Sequence, residues 1–362
     1  MINLMTGYIP PRLPLSITLE TPVVLKKAIA ANLALARLNG AAQTIPNQSV
    51  LINALVLQEA KDSSAIENII TTHDDLYRST IDQNSMSQSV KEVRFYGEAL
   101  RAGYQLVKDN QLLLVRDIVT IQSLLERNDA GIRSQGGTSL KNTQTGEVIF
   151  TPPQVENDIR NALSNLEQYM NDAARDVSDP LIKMAVIHHQ FETIHPFYDG
   201  NGRTGRIINI LYLVLNGLLD IPILYLSRYI TQHKSDYYHL LQSVRTDNRW
   251  EAWVLFMLDG IEQTANDTVR LIHRVDRLMR ATGKRIQEQA PKLYSKDLLE
   301  ALFEHPYTKI EFIEVQLNVS RKTASTYLNK LEAIGVLSSL KQGTSKYFIN
   351  TDFFALLSEP IV

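Results

Sequence analysis

HPFYDGNGRTGR, residues 195–206, interleaves residues that shape a backbone with residues that do chemistry. The run before it, LIKMAVIHHQFETI, carries the apolar spacing of a helix that ends near Thr193 and delivers His195 to its C-terminal edge. Pro196 disfavours the α conformation for the residue before it, so His195 is expected to leave the helix and project into a loop. Gly200, Gly202 and Gly205 permit tight turns and a close approach of backbone to a ligand. Arg203 and Arg206, three apart at the start of the next helix, lie on neighbouring parts of one face. A glycine-containing turn leading into a helix N-terminus, flanked by two fixed cations, makes a phosphate site. Asp199 beside a polyphosphate is a natural Mg2+ ligand. A histidine of ordinary pKa accepts a proton near neutrality, as a hydroxyl attacking phosphorus requires. The stretch therefore predicts a phosphoryl- or nucleotidyl-transfer site. His188 and His189, inside the preceding helix, are read as packing or hydrogen-bonded residues.

Outward from this loop the chain reads as helix, because apolar residues recur every three or four positions. Helices are expected at about 21–38, 48–71, 87–108, 113–126, 154–174, 179–194, 203–217, 233–246 and 249–283. Residues 207–226 are as long as a bilayer span, but Asn209, Asn216, Gly217, Asp220 and Pro222 interrupt them, and a central buried helix is expected instead. Two stretches break the helical pattern. Residues 136–153 read as a β-hairpin around Thr145-Gly146, ended by Pro152-Pro153. After Pro291, three short helices at about 295–304, 308–316 and 320–334 precede two strand-like runs around Gln342-Gly343-Thr344, the pattern of a winged helix-turn-helix.

With 362 residues the chain exceeds one ordinary core. Four parts are expected: an N-terminal helical region at 1–110, a catalytic core at 111–260, a connecting helix at 261–292 and a winged-helix domain at 293–362. A net charge of -2 gives no global attraction to nucleic acid or anionic membrane, so any such binding rests on a local patch. The absence of cysteine removes disulfides, thiolate zinc sites and cysteine nucleophiles. The opening MINLMTGYIPPRLPL lacks a basic segment and an uninterrupted apolar run, so an untargeted, cytoplasmic protein is expected.

The twelve residues His195 to Arg206 resemble the complete signature of the Fic family. Features over roughly residues 1–260 agree, including the hairpin before Pro152-Pro153 and the segment LSRYITQHKSDYYHLLQSV. The resemblance implies an all-α fold with a small β-hairpin flap that transfers AMP from ATP to a Ser, Thr or Tyr hydroxyl of a protein. In that reading His195 is the base, Asp199 holds Mg2+, and Gly200, Asn201 and Gly202 form the anion hole. Arg203 and Arg206 bind the outer phosphates, Thr204 and Gly205 complete the ATP-binding loop, and Tyr237 and Tyr238 line the nucleoside pocket. The hairpin clamps the target by strand addition. Another nucleotide or a phosphocholine donor remains open, although the two arginines favour a triphosphate.

In KDSSAIENII, Ser63 and Glu67 lie four apart, followed by Asn68, and this resembles the family's inhibitory motif in its N-terminal placement. A Glu67 carboxylate paired with Arg206 would take that arginine from the γ-phosphate, which implies autoinhibition. In the C-terminal part, Arg321, Lys322 and Thr323 near the start of SRKTASTYLNKL, with Lys346 on the wing, are candidate DNA contacts. The same module also serves protein docking. Two readings follow: a self-inhibited protein adenylyltransferase, possible as a homodimer through the helical body, or a DNA-binding transcriptional regulator whose Fic-like part senses nucleotide.

Overall fold

The computed structural model describes residues 7–79, 86–141, 145–342 and 345–359. Helix starts follow local capping chemistry. Helix α1 (Pro22–Ala42) opens with the Thr21 hydroxyl accepting the Val24 N–H and a proline in its first turn. In α7 (Pro180–Ile194) the Asp179 carboxylate accepts the Leu181 N–H at 2.8 Å, again with proline in the first turn. Between them come α2 (Ser49–Ile66), α3 (His73–Ser79), α4 (Gln88–Asn110), α5 (Val115–Glu126), strands β1 (Leu140–Lys141) and β2 (Val148–Phe150), and α6 (Glu156–Asn171). After α7 follow α8 (Asn201–Leu215), α9 (Leu226–Gln232), α10 (Lys234–Asp247) and α11 (Trp250–Gln289).

The helices α7 and α8 form the central hairpin, and residues 195–200 join them at one end. Every residue of α7 from Leu181 to Ile194 is buried, and so is α8 from Arg203 to Leu213. Helices that are apolar all round belong in a core surrounded by other helices. Here α4 and α5 cover α8, α6 covers α7, and α1 and α11 pack along each other beside them. Residues 207–213 thus lie in the buried part of α8, and the chain turns at Gly217 (φ 66°) after the helix ends. Among the described residues no helix is long and apolar enough to cross a membrane.

The expected helix at 48–71 stops at Ile66. Asn68 takes φ 63° and the Ile69 N–H returns to the Ser64 carbonyl, a left-handed cap that ends the helix and places Glu67 at its edge. Helices α3 and α9 were not foreseen, since seven residues are too short to show a period. Strands β1 and β2 pair antiparallel, Leu140 with Phe150 and Lys141 with Val148, within the expected hairpin, and Gly146 takes φ 73°.

The C-terminal part contains α12 (Lys296–Glu304), β3 (Tyr307–Thr308), α13 (Ile310–Gln316), α14 (Arg321–Ala333), β4 (Ser338–Gln342), β5 (Ser345–Ile349) and α15 (Thr351–Ser358). The three strands form one antiparallel sheet in the order β3-β5-β4. Gly343 and Thr344, the expected wing turn, lie outside the described residues. Helix α15, also unforeseen, folds back on the body. Its Leu357 carbonyl accepts the Gln58 amide from α2 at 2.8 Å, and the Phe354 ring meets the Tyr77 ring of α3 edge to face at 5.9 Å.

Candidate active site

His195 caps the C-terminus of α7 with φ 49° and ψ 60°, so it leaves the helix through the left-handed region rather than the extended one. Right-handed α is disfavoured before Pro196, and the left-handed turn costs a non-glycine residue about 1–2 kcal/mol. Arg133 holds that turn in place. Its Nε donates to the His195 carbonyl at 2.8 Å, Nη2 donates to the carbonyls of Pro153 and Ile194, and its backbone N–H donates to the Pro196 carbonyl at 2.9 Å. Burial, then the Arg133 and Arg245 guanidiniums, push the His195 imidazole down to about 4 against the opposing pull of Glu67. The ring is therefore neutral at pH 7, the state in which it can accept a proton.

Gly200 (φ 75°) caps the N-terminus of α8, whose first backbone bond runs from the Thr204 N–H to the Gly200 carbonyl. The N–H groups of Asn201, Gly202 and Arg203 are left without helical acceptors, as at any helix start, and form the positive end of the dipole. The Asn201 side chain turns away from this end and clamps Phe197, accepting its N–H and donating to its carbonyl, both at 2.8 Å. Its contribution to an anion site is therefore its backbone. Asp199 is exposed, with Oδ1 accepting the Gly200 N–H at 2.7 Å. Among the described residues no cluster of three His, Asp or Glu side chains is arranged to hold a metal. A single exposed carboxylate beside a helix N-terminus would suit Mg2+, an ion that keeps several waters and takes only one or two protein carboxylates.

Arg206 is buried under Gly202, and the C-terminal end of α2 occupies its donors. Nε donates to Ser63 Oγ at 2.7 Å, and Nη2 donates to the Ser63 carbonyl and to Glu67 Oε1, both at 2.9 Å. A Cβ on residue 202 would overlap Glu67 Oε1, so glycine there makes the notch in which that carboxylate lies. Burial would raise the Glu67 carboxyl, but Arg206, with Arg203 and His195, holds it below the usual carboxylate range. The Glu67 anion thus lies beside the helix N-terminus while it holds the arginine. Asn68 fills the left-handed position beside it and accepts a hydrogen bond from Lys234 at 3.2 Å.

A cavity of about 560 Å3 opens between this end of α2 and the hairpin strands, within the range of small-ligand sites. Of the residues picked out from the sequence, Glu67, Asn68, His195, Gly202, Arg206, Tyr237 and Tyr238 line it. Tyr237 is almost wholly buried, and its hydroxyl meets His188 Nε2 at 2.9 Å, while Tyr238 is 44% exposed. Arg203 instead pairs with Glu126 at 2.8 Å and Glu92 at 3.4 Å. Thr204 is buried beneath the helix start, and Gly205 faces α7, where a Cβ would come within 2.6 Å of Glu192 Oε1.

Three residues of the site escaped the sequence reading: Arg133, Glu192 and Arg245. Glu192 lines the cavity one helical turn before His195, and burial pushes its carboxyl up to about 7 against Arg206. Arg245 follows Tyr237 and Leu241 at intervals of four, so the spacing of that helix face already pointed to it. In the C-terminal part, Arg321 pairs with Glu311 at 2.7 Å and Lys346 with Glu332 at 2.8 Å. Lys322 is exposed, and the Thr323 N–H is taken by the Ser320 hydroxyl that caps α14.

Family models place this geometry. The Fic/DOC family N-terminal model matches residues 25–105, and the Fic/DOC family model matches residues 112–213, which include the whole loop. The chain belongs to the Fic/DOC family. A further Fic model, described as the C-terminal domain of a SoFic-like protein adenylyltransferase, matches residues 278–353. Among curated Fic relatives, a protein adenylyltransferase Fic of Culex quinquefasciatus is 30% identical over 151 residues, 41% of this chain and 29% of that protein. A probable protein adenylyltransferase of Aquifex aeolicus is 42% identical over 86 residues, 23% of this chain and 25% of that one. The matched stretch thus spans little more than a quarter of each relative. The crystal structure of a Fic family protein from Desulfovibrio desulfuricans superposes with a TM-score of 0.58 at 21% identity, covering 93% of this chain and 97% of that one. At that identity the likeness is one of fold.

Proposed function

We propose that this Fic protein transfers AMP from ATP to a hydroxyl side chain of a protein and that Glu67 restrains it. The observation that carries the reading is the Glu67 carboxylate bound to Arg206 in the Gly202 notch, at the helix N-terminus that shares a cavity with a neutral His195. A helix start that attracts one carboxylate attracts a phosphate by the same physics. With ATP in place, the acceptor hydroxyl loses its proton to His195 as its oxygen bonds the α-phosphorus. The bond from that phosphorus to the bridging oxygen breaks, and pyrophosphate leaves with the electron pair. A positioned general base typically contributes about 10²–10⁴-fold, and the α8 N–H groups and arginines supply fixed positive charge without reorganisation. Mg2+ held by Asp199 would neutralise phosphate charge. Tyr238 and the ring of Tyr237 would wall the nucleoside, and the hairpin would hold the target backbone.

Restraint follows from competition, since a charge-assisted Arg206–Glu67 pair must be displaced before a γ-phosphate takes the arginine. The C-terminal helices and three-stranded sheet, in the order helix, strand, helix, helix, strand, strand, support a winged-helix reading. With Arg321 and Lys346 each held by a glutamate, we favour a docking role for it over DNA contact. The test is incorporation of radiolabel from α-labelled ATP into protein by the full chain. Glu67→Gly is expected to raise incorporation at least tenfold over wild type, and His195→Ala to abolish it in either background. Equal incorporation by wild type and Glu67→Gly removes the restraint, and label transferred by His195→Ala removes the assigned base.

A further inference from the structure

The geometry points to Arg245 as a second cation of the site, placed to bind the α-phosphate, the one transferred, at the flap end of the cavity. This inference rests on the transfer reading above. Arg245 lines the same cavity as His195 and Arg206 but reaches it from α10. Its Nε donates to Thr193 Oγ1 at 3.1 Å, two residues before His195, and Nη1 donates to Gln242 Oε1 at 3.3 Å. The Phe150 ring of β2 covers the guanidinium, its centroid 3.8 Å from the central carbon. The group is therefore fixed between the flap and the turn that carries the base.

No carboxylate completes this arrangement. Arg245 forms no ion pair among the described residues, and its Nη2 is buried without a hydrogen-bond partner. The acid acting on it most strongly is Glu192, whose carboxyl burial pushes up to about 7. Burial lowers the guanidinium only to about 10, so it stays charged. A desolvated cation with a donor left over is costly unless an anion completes it. The other arginines near the site are placed differently: Arg206 is bound to Ser63 and Glu67, Arg203 to Glu92 and Glu126, and Arg133, held by backbone carbonyls, does not line the cavity. If the outer phosphates lie at the α8 N-terminus, the acceptor beside His195 attacks a phosphorus lying between that end and the flap. Among the described residues Arg245 is the arginine of the cavity that has no ion pair; Lys141 and Lys234 also line the cavity, but Lys141 is exposed on the flap and Lys234 donates to Asn68.

Calorimetric titration of the full chain with ATP, AMP and adenosine tests this. Arg245→Met is expected to weaken AMP and ATP by about tenfold or more, the usual scale for losing a charged hydrogen bond, while adenosine binds as to wild type. Arg206→Met should weaken ATP and leave AMP within about threefold. Unchanged AMP affinity in Arg245→Met overturns the inference, and so does an equal loss for adenosine, which would mark a role in shaping the cavity alone. Should Arg245→Met unfold, Arg245→Gln, which keeps a side-chain donor near Thr193 but not the charge, decides by the same comparison of AMP with adenosine. A wild-type chain that binds neither ATP nor AMP would instead overturn the transfer reading. Normal wild-type binding with no effect at Arg245 overturns this inference alone.

Discussion

At the scale of single residues, the site is governed by which groups are denied their usual charge. His195 is held near 4, and burial pushes His188 down to about 3 with Arg206 adding to the effect. A histidine lowered on folding lets the native state shed protons that the unfolded chain would hold, so its penalty is absent above about pH 6.5 and grows as pH falls toward the folded value. Glu67, also lowered, stabilises the fold above its unfolded pKa and loses that contribution as pH falls through its folded one. Glu59 and Glu192, raised by burial, oppose them between about pH 7 and their unfolded value, but the lowered histidines, with His73, His189 and His305 beside His195 and His188, outnumber them, so resistance to urea should fall from pH 6.5 to 4. AMP transfer by Glu67→Gly, measured in single turnover, should stay within about twofold from pH 8 to 5.5, because the base is already unprotonated there. A midpoint near 6.5 would contradict the neutral His195. The turn between α7 and α8 was legible in residues 195–206 because Pro196 and the glycines interrupt the apolar spacing on either side. The use of Asn201 as a clamp on Phe197 was not, because an amide side chain two residues beyond a turn has several backbone groups within reach.

At the scale of elements, a close fit at glycine sets how tightly α8 is held. In α4, Gly103 faces α5 and α8, and a Cβ there would come within 2.6 Å of Leu211 Cδ1 and 2.9 Å of Ile121 Cδ1. Gly103→Ala gains about 0.5–1 kcal/mol of helix propensity but loses about 1–3 kcal/mol to overpacking in a closed core. The clash should win, lowering the thermal midpoint by a few degrees, and an unchanged or raised midpoint would show that α4 and α8 can part. Long helices with sustained apolar spacing, such as α4, α7 and α11, could be read from sequence almost to their ends. Short ones could not: α3, α9 and α15 owe their form to the surfaces they land on. The early end of α2 was hidden for another reason, since Ile69 and Ile70 continue an apolar pattern while Asn68 turns the backbone.

At the scale of the molecule, the C-terminal part shares its core with the helical body. Phe353 of α15 is fully buried, its ring tilted against Phe303 with centroids 5.0 Å apart and set among Val50, Leu51 and Ala54 of α2 and Leu271 and Val275 of α11. Phe353→Ala should cost about 3–5 kcal/mol and lower the melting of the whole chain. Because both tryptophans, Trp250 and Trp253, are buried in the body, Trp253 against α7, tryptophan fluorescence should report the same midpoint as the helical circular dichroism. Two separated transitions would mean that the parts unfold independently. Three of the C-terminal helices and the two wing strands could be read from sequence, but not β3, α15 or this docking, since no period records which faces meet across 300 residues. The docking makes α2 a lever. Gln58 is tied to α15 and Glu67 reaches Arg206 nine residues further on, about 13 Å along the axis at the helical rise. A tilt of about 5° about the first point swings the second through about 1 Å by that length, enough to open a 2.9 Å hydrogen bond.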